Sequence, residues 1–164
     1  MSLAAPRSVI VGLGANLGEP ILSFRSAIKA LDALDGVKVS ARSSLYQTAP
    51  IGPDQPDYIN AAVRLECALE PLALLRRCLE IERAHGRDRA KEIRFGPRTL
   101  DLDLLYFEGA EIESEELTLP HPRLHERAFA LTPLLEIAPE LSARYEAALA
   151  QLAQDIRRLE GEAL

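Results

Sequence analysis

The order of hydrophobic periods along the chain predicts an α+β sandwich. Four apolar stretches with strand character are interleaved with two of helical period, in the order strand, helix, strand, strand, helix, strand. That order is the split βαβ arrangement of a ferredoxin-like βαββαβ fold with an antiparallel sheet, here followed by a C-terminal hairpin and helices. At 164 residues the expectation is a single domain over 1–164, with its core at about 7–140, that buries about two thirds of its unfolded surface.

Residues 8–13, Ser-Val-Ile-Val-Gly-Leu, are an apolar run ending in Gly14-Ala15-Asn16-Leu17-Gly18, a buried strand entering a turn. Pro20 suits the first turn of a helix, Ile21, Phe24, Ile28 and Leu31 keep helical spacing, and Gly36 comes after them, so a helix is expected over about 20–35. Val37, Val39 and Ala41 alternate with polar residues, giving a second strand expected to extend towards Tyr46. Three prolines and a glycine restrict the loop Thr48–Pro56. Over 58–65, Ile59, Ala61, Val63 and Leu65 share one face, and Tyr58, Asn60, Ala62 and Arg64 the other. Pro71 opens a second helix with Leu72, Leu75 and Leu79 as its stripe and Gly86 at its end. The fourth strand, 99–106, sets Leu100, Leu102, Leu104 and Tyr106 against Asp101, Asp103 and Leu105. A hairpin near 110–119, helical material over about 124–137 and a last helix over about 143–160 complete the expectation, the last supported by Leu149, Leu152, Ile156 and Leu159.

Composition narrows the function. Nineteen Lys and Arg against 25 Asp and Glu give a net charge of −6, with 5% aromatics and no Trp. An acidic chain of this kind lacks the electrostatic footprint of a general nucleic-acid or membrane-surface binder, so neither partner is expected. No apolar run approaches the roughly 18 residues of a membrane-spanning helix, and Met1 to Val11 lacks the layout of a signal peptide, which makes the cytoplasm the expected address. Cys67 and Cys78 have neither disulfide-framework nor zinc spacing and read as core or helix-face residues.

The charge is unevenly spread. Between Arg83 and Arg98 six basic residues outweigh two acids, a local sum of +4 that leaves the rest of the chain at −10. A solvated loop would explain this alone, since 16 of the 19 basic residues are Arg. The basic stretch, however, runs directly into Arg94-Phe95-Gly96-Pro97-Arg98-Thr99-Leu100-Asp101-Leu102-Asp103. Residues i and i+2 of a strand share a face about 6.8 Å apart, so Asp101 and Asp103 can lean towards one point while the leucines anchor the strand. Paired carboxylates downstream of arginines suit a hard divalent cation and a polyphosphate. The plainer alternative is an exposed strand face with surface ion pairs.

At these residues the sequence resembles the 6-hydroxymethyl-7,8-dihydropterin pyrophosphokinases of folate biosynthesis. Gly12-Leu13-Gly14-Ala15-Asn16-Leu17-Gly18 is similar to the family's first strand and turn. Ser44 to Pro53 and Gln55 to Val63 are similar to its first substrate loop and third strand. Leu119-Pro120-His121-Pro122-Arg123, Arg127-Ala128-Phe129 and Pro133 to Pro139 are similar to its C-terminal part. The resemblance implies transfer of a pyrophosphoryl group from ATP to the pterin hydroxymethyl oxygen, with release of AMP. It assigns two Mg2+ ions to Asp101 and Asp103 and a catalytic role to Arg87 and Arg98. ATP contacts fall on Glu82, Arg89, Phe95, Arg98, Leu104, Thr118, His121 and Arg127. Pterin contacts fall on Thr48, Ala49, Pro50, Ile51, Tyr58, Asn60, Phe95 and Phe129. It implies ATP and the pterin as partners, and a monomer or weak homodimer is expected. The loops 48–56 and 87–97 are expected to close over substrates and exclude water. Read without the resemblance, Tyr58 and Phe129 are ordinary core aromatics.

Departures from the family pattern are few. Phe95 stands where several members have Trp, the stretch from Arg87 to Arg98 is one residue longer than in the enteric form, and Glu116 and Leu79 replace Arg and Gln. Two other functions compete with this one. A dinucleotide-binding oxidoreductase is prompted by Gly12, Gly14 and Gly18, but the spacing G-x-G-x-x-x-G is one residue too long. A catalytically silent ferredoxin-like binding module would need neither the aspartate pair nor Arg87 and Arg98. His121 and His125 have the i, i+4 spacing of a zinc pair, but Pro122 intervenes and HExxH is absent.

Overall fold

The computed structural model describes residues 5–50, 54–86, 99–152 and 155–164. Strand β1 (Arg7–Ala15) runs antiparallel between β4 (Tyr58–Cys67) and β5 (Asp101–Phe107). The far edge of β4 is shared by two strands in succession. β2 (Val37–Arg42) pairs with residues 63–67 and β3 (Tyr46–Thr48) with residues 58–60. The expected second strand is therefore interrupted. At the break, Ser43 N–H donates to the Ala62 carbonyl at 2.9 Å, and the Ser43 hydroxyl oxygen accepts the Ala62 N–H at 2.8 Å. A side chain thus satisfies one rung while the chain steps aside.

Helices α1 (Pro20–Asp32) and α2 (Pro71–Ala84) lie on one face of this sheet, each opened by its proline, and Gly36 and Gly86 come after them with φ of 82° and 85°. Val9, Val11, Leu13, Val63, Leu65, Leu102 and Leu104 meet Phe24, Ile28, Leu31, Leu74, Cys78 and Ile81 in the main core. The buried stripe of α2 is Leu74, Cys78 and Ile81, while Leu72 and Leu75 sit at its margin. Both triplets satisfy the helical period, so spacing alone did not separate them from the expected Leu72, Leu75 and Leu79.

The opposite face carries the C-terminal elements. A 3-10 turn at Leu124–Glu126 leads into α3 (Ala128–Ile137), and a second at Pro139–Leu141 into α4 (Ser142–Ala150). Leu124, Leu131, Leu134, Leu141 and Tyr145 pack on Ile10, Ala62 and Leu105. The hairpin of β6 (Ile112–Glu113) and β7 (Thr118–Leu119) falls within the expected span.

Two further expectations are corrected. The β1–β5 register shifts between Ile10 and Val11, so that Leu105 is an extra residue of β5. Leu105 and Tyr106 both face the α3 side, and Phe107 takes the core place expected for Tyr106. The last helix ends at Ala150 rather than near 160, and β8 (Ile156–Arg158) pairs antiparallel with β3. Leu152 packs in the cluster on one face of the sheet and Leu159 in the cluster on the other. One straight helix cannot serve both faces, whereas an extended segment passing the sheet edge can. Among the described residues no helix is long and apolar enough to cross a membrane.

Candidate active site

Strand register sets out the α3 face of the sheet row by row. Asp101, Gly14, Asn60 and Tyr46 stand side by side on β5, β1, β4 and β3, and Asp103, Gly12 and Ala62 form the adjacent row. A Cβ on Gly14 would lie 3.3 Å from Asn60 Oδ1 and 3.9 Å from both Asp101 Cβ and Tyr58 Cδ1. On Gly12 it would meet Leu105 Cδ1 at 3.1 Å. Gly14 therefore leaves a place without a side chain between Asp101 of the edge strand and the Asn60 amide at the centre of the sheet, while the Leu105 side chain lies over Gly12.

Asn60 is 4% exposed, and its Nδ2 donates to Thr48 Oγ1 at 2.8 Å. Tyr58 pairs with Thr48 across the ladder and is half-buried. Asn16, also buried, donates from Nδ2 to Gln55 Oε1 at 2.8 Å and to the Pro56 carbonyl at 2.9 Å, tying the end of β1 to the segment that enters β4. No motif in the sequence gave Asn16 a role of its own. Its signal was a polar side chain between a buried strand and the turn at Gly18.

On the acidic side, Arg127 Nη1 lies 4.0 Å from Asp103 Oδ2 and the same guanidinium lies 5.6 Å from the Phe129 ring centre. His121 is held from two sides: its backbone N–H donates to the Leu105 carbonyl at 3.0 Å, and its Nδ1 accepts the Arg123 N–H at 3.2 Å. Burial, then the Arg127 charge, push its imidazole down to about 4 against the pull of Asp101. Near neutral pH it is uncharged, and with Nδ1 accepting, its Nε2 carries the proton.

Other expected residues are placed differently. Glu82 is 1% exposed, and its Oε2 accepts the Leu102 N–H at 2.7 Å, so α2 supplies an acceptor to edge strand β5. Leu104 is a core side chain, which leaves its backbone as the part that a ligand could meet. Thr118 is half-buried on β7, Phe129 half-buried on α3, Thr48 buried, Pro50 half-buried and Ala49 exposed. Glu116 lies 3.7 Å from Arg76, both exposed. Ile51, Arg87, Arg89, Phe95 and Arg98 lie outside the described residues.

Asp101 and Asp103 are half-buried, and among the described residues no group of three His, Cys, Asp or Glu could hold a metal. Two carboxylates on one face, without a closed protein cage, match the habit of Mg2+, which leaves most of its coordination to phosphate and water. An acid pair with an arginine, on the same sheet face as an amide and aromatic rings, has chemistry suited to a class of protein that brings a polyanion to a flat heterocycle.

Comparison with known proteins narrows that class. Residues 10–139 match the family model of 7,8-dihydro-6-hydroxymethylpterin-pyrophosphokinase. The chain is 48% identical over 132 residues to a 2-amino-4-hydroxy-6-hydroxymethyldihydropteridine pyrophosphokinase of Methylorubrum extorquens, covering 80% of this chain and 82% of that one. It is 43% identical to the protein so named in Haemophilus influenzae, covering 80% and 81%. The chain belongs to the 7,8-dihydro-6-hydroxymethylpterin-pyrophosphokinase family. Among solved structures, Plasmodium falciparum HPPK-DHPS with pterin and p-hydroxybenzoate is similar in fold at a TM-score of 0.66 and 14% identity. The similarity covers 85% of this chain and 41% of that longer one.

Proposed function

We infer that this chain is an ATP-dependent pyrophosphokinase of folate biosynthesis: it moves the pyrophosphoryl group of ATP to the hydroxymethyl oxygen of 6-hydroxymethyl-7,8-dihydropterin and releases AMP. The observation that carries the assignment is the register that puts Asp101 and Asp103 on the same sheet face as Asn60 and Thr48, with Gly14 alone between Asp101 and Asn60 in their row. At Gly14 no β1 side chain separates a phosphate-bearing ligand held at Asp101 from a flat acceptor held at Asn60.

The division of labour rests on the chemistry of each group. The hydroxymethyl oxygen attacks the β-phosphorus, the bond to the α-phosphate oxygen breaks, and the hydroxyl proton passes to solvent. Asp101 and Asp103 would hold Mg2+, two ions with ATP, which supply charge neutralisation and polarise the phosphoryl oxygens. Arg127, beside Asp103, meets triphosphate charge, and neutral His121 offers an Nε2 proton to a phosphate oxygen. Arg87 and Arg98 are assigned to charge that develops on transfer, and Arg89, Phe95, Leu104 and Thr118 to the nucleotide. Glu82 serves the nucleotide through the strand edge whose N–H it accepts. Asn60 reads the pterin edge, Tyr58, Phe95 and Phe129 offer ring faces, and Thr48, Ala49, Pro50 and Ile51 line its loop side. A single-domain, cytoplasmic monomer or weak homodimer is the form we assign.

The test is incubation with Mg-ATP and 6-hydroxymethyl-7,8-dihydropterin, with separation of the nucleotides. AMP and a pyrophosphorylated pterin are expected; ADP, or an unchanged mixture, would refute the assignment.

A further inference from the structure

Glu136 lies seven residues beyond Phe129 on α3, two helical turns or about 10.5 Å along the same side. Both of its carboxylate oxygens are engaged by one short stretch of chain. Ser44 N–H donates to Oε1 at 3.0 Å and to Oε2 at 2.9 Å, the Ser44 hydroxyl donates to Oε2 at 2.9 Å, and the Tyr46 hydroxyl donates to Oε1 at 2.6 Å. Tyr46 is itself buried and pairs with Asn60 across the ladder. Thr48, which holds the Asn60 amide, lies two residues beyond Tyr46 on the same face, about 6.8 Å further along. Strand β3 and helix α3 thus both run from the Glu136 contact towards the pterin side of the site, one to Thr48 and the other to Phe129.

The helix has a particular need of this contact. Pro133 stands four residues after Phe129 and has no N–H to give to the Phe129 carbonyl, so the turn that carries the ring lacks one of its helical bonds. Burial tends to raise the Glu136 carboxyl, but the hydrogen bonds from Tyr46 and Ser44, with Arg158 nearby, outweigh it and keep the group below the usual carboxylate range.

We propose that Glu136 is a positioning residue for the pterin: by clamping Ser44 and Tyr46 of one wall to α3 of the other, it sets the separation between Thr48–Asn60 and Phe129. The proposal rests on the assignment of this face to the pterin. The clamped Ser44 and Tyr46 lie on the β3 side of the sheet, while Asp101 and Asp103 lie on β5 at its edge and α3 reaches them through Arg127, so the wall of Thr48 and Asn60 depends on the clamp more than the acid pair does.

The experiment compares Glu136→Ala, Glu136→Gln and Tyr46→Phe with the wild type for pterin KM, kcat, affinity for a non-hydrolysable ATP analogue with Mg2+, and thermal midpoint. Glu136→Ala should raise the pterin KM about tenfold or more, with ATP-analogue affinity within about twofold. Glu136→Gln should fall between it and the wild type. The double variant Tyr46→Phe/Glu136→Ala should have the same pterin KM as Glu136→Ala alone within about twofold, because Glu136→Ala already removes the one bond that the two residues share. An unchanged pterin KM in folded Glu136→Ala, or an equal loss for both substrates, would overturn the proposal. Should Glu136→Ala fail to fold, an unchanged KM in both conservative variants overturns it equally. A wild type that forms no AMP refutes the functional assignment instead, and that outcome shows before any variant is made.

Discussion

At the scale of single residues, side chains that face one another mattered as much as those that motifs name. The Asp101, Asp103 spacing was legible because a strand's period of two is a local property. The role of Gly14 was not, because it consists of an absent side chain opposite Asn60 and depends on a partner 46 residues away in sequence. Gly14→Ala should raise the pterin KM about tenfold with little change in thermal midpoint, since its Cβ would crowd Asn60 Oδ1 at 3.3 Å; a normal KM would show that this place is not used. His121 gives a prediction with a definite sign. Its folded value of about 4 lies below the unfolded 6.5, so the stability due to the neutral ring is complete above pH 6.5 and is lost as pH falls towards 4. Nuclear magnetic resonance of the ligand-free, metal-free protein should find this imidazole still neutral at about pH 5.5, and a midpoint near 6.5 would contradict its burial.

Elements were predicted well where one hydrophobic period served one core, and poorly where neighbours intervened. Strands β1 and β4 and helix α1 follow patterns complete within each segment, whereas the second strand breaks at Ser43, β5 carries an extra residue at Leu105 and the buried stripe of α2 shifts to Leu74, Cys78 and Ile81. Strand β8 was mistaken for helix because Ile156 and Leu159 also satisfy helical spacing, and only the positions of Leu152 and Leu159 on opposite faces exclude it. Arg157 Nη2 donates to Gln47 Oε1 at 2.6 Å, so β8 supports β3 through side chains as well as its ladder. Removing residues 151–164 should therefore lower stability by about 1–3 kcal/mol in urea unfolding and speed hydrogen exchange in Tyr46–Thr48; unaltered exchange there would show that β3 stands without it. On the other edge, Glu82→Leu leaves the buried Leu102 N–H without this acceptor and should cost about 1–3 kcal/mol even without nucleotide. A loss seen only as weaker ATP binding would make Glu82 a ligand contact alone.

For the whole molecule, the net charge of −6 is an average over a chain in which a +4 stretch runs directly into the two strand carboxylates. Asp103→Ala should reduce Mg-dependent AMP formation by at least about 10²-fold with no loss of folding, and near-normal turnover would remove the metal assignment. Arg98→Ala should lower kcat more than ATP affinity, and the reverse would make it a ground-state contact. The local sequence by itself determined the order of the principal strands and helices as far as β5, the family motifs and the pairing of acids on one strand face, because each depends on near neighbours or on short periods. Only the tertiary structure decided which residues stand opposite one another: Gly14 between Asp101 and Asn60, the Asn16 tie, the Glu136 clamp, the extra residue in β5 and the return of the chain as β8. Those features arise from register across strands and from packing on both sheet faces, and neither is written in the spacing of any one segment.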